Sequence, residues 1–101
     1  MKKLILLALL CASPAAAEEH VCQVIGELGE TIMTMRQSGA PMSKMMAVLP
    51  QIDAQIREVT EIAVRMAYDE PLYSSESYQR RAVVQFRDKV EVLCFKSDLG
   101  S

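Results

Sequence analysis

The sequence predicts an all-α protein: a small bundle of about four helices, with the first and last joined by a disulfide between Cys22 and Cys94. Three observations carry that expectation. After residue 17, apolar residues recur at offsets of three and four almost throughout, and no stretch sustains the strict alternation of a half-buried strand. Glycines, prolines and serines fall at a few places that divide the chain into helix-sized pieces. Two of the three cysteines lie near opposite ends of the part that folds, where a bond between them suits antiparallel terminal helices.

The third cysteine belongs to a leader. Lys2 and Lys3, an apolar run from Leu4 to Ala12, and the small residues Ala15, Ala16 and Ala17 have the layout of a secretory signal peptide, with cleavage expected before Glu18. The run is too short to remain as a membrane-spanning helix. A lipid-anchored alternative would use Cys11, but the residue before it is the bulky Leu10 where a small one is wanted. The expectation is therefore a periplasmic or secreted protein with no membrane anchor in the mature chain, consisting of one helical domain over residues 18–101.

So small a domain has a marginal core and needs a covalent staple. In an exported chain, Cys22 and Cys94 have no competing partner. Their spacing is far from the C-x-x-C arrangement that tunes a reactive thiolate, so a structural bond is expected rather than a redox-active pair.

The first helix is expected over 20–38, with Val21, Ile25, Leu28, Ile32 and Met35 as its buried stripe and Gly39 as the residue that ends it. Gly26 and Gly29 weaken it intrinsically and leave room for a neighbour to come close. A short second helix, 41–49, begins at a proline and stops at Pro50. The third, 51–68, carries Ile52, Ile56, Val59, Ala63 and Met66 on one face and ends before Pro71. In the turn-rich segment "DEPLYSSES", Ser74 or Ser75 can cap a fourth helix, 76–96, with Glu76 at its positive end. Its apolar side is expected to hold Ala82, Val83, Phe86, Val90, Leu93 and Cys94.

Removing Lys2 and Lys3 leaves nine Lys/Arg against 13 Asp/Glu, a net charge of −4, with no basic stripe to neutralise phosphates. Nucleic acid is not an expected partner. Catalysis is disfavoured as well, because the one histidine, His20, lies in a terminal segment and no nucleophile elbow is present. The carboxylate pairs Glu27/Glu30 and Glu58/Glu61 read as solvated helix faces. No cofactor is expected.

The stretch "ETIMTMRQSGAPMSKMM" concentrates Met33, Met35, Met42, Met45 and Met46. Thioethers select Cu(I) in exported proteins, so a soft-metal site is one reading. The spacing of Met42, Met45 and Met46 is that of the buried side of a short helix, and methionine fills irregular gaps and repacks easily, so an adaptable core or groove is the favoured one. Met35 continues the apolar stripe of the first helix and Met33 falls off it.

Cys22, Arg36, Gln37, Gly39, Ala67, Tyr68, Pro71, Tyr78, Arg81, Ala82, Phe86 and Cys94 together resemble a family of small exported bacterial proteins, often carried in phage-like regions, with the pattern C…RQxG…AYxxP…Y…RA…F…C. The resemblance covers nearly all of the chain after the leader and implies a shared helical fold and export.

Arg36 is placed to pair with Asp69 or Glu70 and so tie the first helix to the loop before the fourth; a partner-binding role is its alternative. Tyr68, Tyr73 and Tyr78 bracket Pro71 and could form an aromatic ledge for a protein partner, or cap one end of the bundle. The reading is a non-catalytic binding or regulatory module acting through protein contact. Arg36, the three tyrosines, Met42, Met45 and Met46 are its candidate contact residues. Self-association is a further possibility. The alternatives are an acid-activated periplasmic stress chaperone and a Cu(I)-binding protein using the methionines.

Overall fold

The computed structural model describes residues 13–97, with side chains described from His20 onward. The chain forms four α-helices and a short 3-10 turn: α1 (Ser13–Gln37), α2 (Met42–Ala47), the turn (Leu49–Gln51), α3 (Ala54–Asp69) and α4 (Glu76–Lys96). No strand occurs among the described residues. Residues 1–12, most of the expected leader, lie outside the described residues, while Ser13–Ala17 open α1.

The helix α1 is the pillar. It packs along the length of α4 and against α3, while α3 and α4 meet only at their edges. At one end the disulfide joins Cys22 to Cys94, with Cα atoms 5.5 Å apart and both residues buried. At the other, α3 ends and α4 begins beside the C-terminus of α1, where Arg36 and Gln37 bond the connecting loop. Both α1 and α3 thus run antiparallel to α4. None of the described helices is long and apolar enough to cross a membrane.

The core comprises Cys22, Ile25, Ile32 and Met33 from α1, Met45 from α2, Ala63, Val64 and Ala67 from α3, and Phe86, Val90 and Cys94 from α4. Two expected faces are rotated from their anticipated positions, and the face of α4 is as expected except for one residue. On α1, Met33 is fully buried and Met35 is 38 % exposed, the reverse of the expected assignment. The buried face is the row Cys22, Ile25, Gly26, Gly29, Ile32, Met33 and Gln37, which an apolar count misses because two members are glycine and one is glutamine. On α3 the face centres on Thr60, Ala63, Val64 and Ala67, leaving Ile56, Val59 and Met66 half-buried. Thr60 is tolerated there because its hydroxyl donates to the Ile56 carbonyl at 2.7 Å. On α4, Leu93 is 45 % exposed although expected in the core, because α3 diverges and nothing covers that side.

The glycines of α1 let α4 approach. A Cβ on Gly29 would stand 3.1 Å from Val90 Cγ2, and one on Gly26 would fall 2.5 Å from Glu91 Cγ. The space at Gly26 lets Glu91 lie against α1 and accept from Arg87 Nε at 3.3 Å, while Arg87 Nη1 reaches Glu30 at 3.2 Å. The bond to Glu91, with Glu30 beyond it, holds the Arg87 guanidinium above its ordinary pKa.

Helix ends follow local chemistry. Gly39, at φ +91°, closes α1: its N–H donates to the Arg36 carbonyl and that of Ala40 to the Met35 carbonyl, the paired bonds of a left-handed helix stop. Pro41 caps α2 from outside, and the expected second helix divides because Pro50 falls inside the 3-10 turn. Asp53 then caps α3 by accepting from the Gln55 N–H, so that helix starts three residues later than expected. Arg57 reaches back to the carbonyls of Leu49 and Ile52, at 3.1 and 2.9 Å, and fixes the turn to α3. Ser75 caps α4, its Oγ accepting from the Tyr78 N–H, with Glu76 in the first turn as expected.

Candidate functional site

The loop between α3 and α4 and the first turn of α4 carry three exposed large hydrophobic side chains: Leu72 and Tyr73 in the loop and Tyr78 in the helix. The loop's conformation is set from below by one residue. Gln37 is 6 % exposed at the end of α1; its Nε2 donates to the Pro71 carbonyl at 2.8 Å and its Oε1 accepts from the Tyr73 N–H at 2.9 Å. A side-chain amide is suited to this because it offers donors and an acceptor on one planar group. The Nε2 also lies 3.5 Å from Met33 Sδ in the core. From the other side, Gln79 Nε2 donates to the Tyr73 carbonyl at 2.7 Å.

Held in this way, the Tyr73 and Tyr78 rings stand 6.0 Å apart between centroids, tilted by 31°. Arg81 extends over Tyr78 with its guanidinium carbon 5.4 Å from the ring centre. The result is an exposed ledge of Leu72 and Tyr73 from a loop bonded from both sides and of Tyr78 and Arg81 from the start of α4.

Tyr68 does not belong to it. Its hydroxyl donates to the Ala40 carbonyl at the end of α1, and its ring lies beneath Arg36, 5.0 Å from the guanidinium carbon. Arg36 ties α1 to the loop as anticipated, but through the Glu70 main-chain carbonyl at 3.0 Å rather than a carboxylate. The Glu70 carboxylate pairs instead with Lys89 Nζ at 2.8 Å. Arg36 Nε is buried with no hydrogen-bond partner among the described residues.

The methionines separate by depth. Met33 and Met45 are core residues, Met42, Met46 and Met66 pack half-buried against the same cluster, and Met35 faces outward. The candidate contacts Met42, Met45 and Met46 therefore lie with the core and not on the ledge. Among the described residues, no group of three His, Cys, Asp or Glu is placed to hold a metal ion.

No family model, curated protein or solved structure matches the chain. Its geometry has to speak for its function. Sequence reasoning singled out Tyr73 and Tyr78 but missed Gln37 as the residue that positions them, since a glutamine near a helix end has no distinguishing local pattern. Leu72 carried no signal either, because a lone apolar residue in a loop is common.

Proposed function

We propose that this protein is an exported, non-catalytic binding module that engages a protein partner through the ledge of Leu72, Tyr73, Tyr78 and Arg81. The observation that carries this reading is the exposed tyrosine pair formed by Tyr73, on a loop bonded by Gln37 and Gln79, and Tyr78 in the first turn of α4. Tyrosine brings large contact area with few torsions to freeze, and tyrosine and arginine are over-represented among residues that dominate interface energetics. A loop ordered before binding avoids part of the entropic cost of association. Export supports the same reading, since a staple between Cys22 and Cys94 suits an oxidising compartment.

The test is affinity capture with the disulfide-intact protein as bait, run beside a Tyr73→Ser/Tyr78→Ser variant shown to melt like the parent. A protein retained by the parent and lost from the variant is the expected result. Equal retention by both would move the binding surface elsewhere. Recovery of no specific protein from the compartment in which the chain resides would remove the reading.

A further inference from the structure

The face between α3 and α4, remote from the ledge, is an unfilled apolar groove of about 150 Å³, lined by Val59, Ile62 and Met66 on one wall and Val90, Leu93 and Cys94 on the other. It exists because α1 fills the space beneath both helices while α3 and α4 only touch at their edges. Ile62, 47 % exposed, and Leu93, 45 % exposed, form its two lips.

The charges outside those lips differ in sign. Along α3, Glu58 and Asp69 share the outward side of Ile62, one turn before it and two turns after; both are exposed. Arg65 lies among them, bound to Glu61 at 3.5 Å. Along α4, Lys89 and Lys96 flank Leu93 one turn away on each side, and both are exposed. One lip is thus bordered by acids and the other by lysines.

We propose that this face pairs with the same face of a second copy, about a two-fold axis running parallel to the groove. Such an axis keeps every residue at its own height and lays α3 of one copy on α4 of the other. Ile62 then meets Leu93 of the second copy, and Leu93 meets its Ile62. Because α3 and α4 are antiparallel, Glu58 lies level with Lys96, an attractive pair that occurs twice, while Lys89 is already held by Glu70 of its own chain at 2.8 Å. An axis across the groove would instead stack acidic α3 on acidic α3 and lysine-bearing α4 on its like. A face with two apolar lips and opposite charges on its two borders is complementary to itself, which is the condition for a closed two-fold interface.

Sedimentation equilibrium of the purified protein with its disulfide intact tests this. A dimer is expected for the parent, and monomers for Ile62→Asp and for Leu93→Asp, both retaining the parent's helical circular-dichroism spectrum because these side chains are half-exposed, with a lower, concentration-independent melting temperature. Should either aspartate variant lose that helical spectrum, the serine substitutions at the same positions carry the comparison. Glu58→Lys alone and Lys96→Glu alone are each expected to be monomeric. An equimolar mixture of the two restores both charge pairs and is expected to dimerise, as is the double variant. A parent that stays monomeric at its highest soluble concentration would overturn the proposal. So would a dimer indifferent to both aspartates, or a pair of charge variants whose mixture fails to associate.

Discussion

Gln37 joins the core to the ledge with a single side chain, touching Met33 on one side and the main chain of Pro71 and Tyr73 on the other. Gln37→Ala removes those bonds and leaves two loop groups to water, so a loss of about 1 to 3 kcal/mol in a urea titration is expected. The Tyr73 amide should at the same time exchange its hydrogen much faster. An unchanged Tyr73 exchange rate would show that Gln79 alone holds the loop. At Phe86, one of the largest fully buried side chains, truncation to alanine opens a cavity in the core, and about 3 to 5 kcal/mol is expected. A variant melting within a few degrees of the parent would contradict the packing of α4. Phe86 was legible in the sequence because it stands mid-stripe and is bulky. Met33 was not, because its row on α1 interleaves a cysteine, two glycines and a glutamine with only two isoleucines.

Elements are defined here more by their ends than by their middles. The stop at Gly39 needs φ +91°, in the left-handed region where a Cβ is costly. Gly39→Ala is expected to cost about 1 to 2 kcal/mol although nothing lies near the added methyl, so thermal denaturation isolates backbone strain. Stability equal to the parent would mean that the loop to α2 can re-form in another conformation. The short α2 docks through Met45, with Met42 and Met46 half-buried beside it. Leucine is close in volume, so replacing all three should change stability by at most about 1.5 kcal/mol per site. Copper-dependent stabilisation of the parent that vanishes in this triple variant would instead assign these residues to a soft-metal site. The caps at Gly39 and Ser75 could be read from the sequence because each rests on a residue type with a local mechanism. The tie of the 3-10 turn to α3 could not, since it depends on Arg57 reaching back to the carbonyls of Leu49 and Ile52.

At the scale of the whole molecule, Cys22 and Cys94 enclose nearly every element, 72 positions apart in sequence. Cross-linking over that distance removes about 4 kcal/mol of unfolded-state freedom in the chain-entropy account. Reduction should therefore lower the melting temperature strongly; coincident melts with and without reductant would deprive the bond of its stabilising role. The pairing was legible because the expectation of a leader containing Cys11 left Cys22 and Cys94 as an even count with no competitor. The divergence of α3 from α4 was not, because periodicity gives each helix a buried face without saying how many neighbours share it. That divergence makes the molecule mechanically unequal. Along α4, α1 is bolted by the disulfide at one end and by the Gln37 and Arg36 bonds to the loop at the other, with the Arg87 pairs between them. Against this frame, α2 and α3 behave as a flap joined by two loops and seated on one surface of α1. Such a flap can open while the frame stays closed, so α3 amides should exchange through a lower-energy partial opening and α1 and α4 amides only through global unfolding. The protein would then carry a rigid spar that presents its tyrosines and a yielding panel that exposes its core, two grades of stiffness cut from a single short chain.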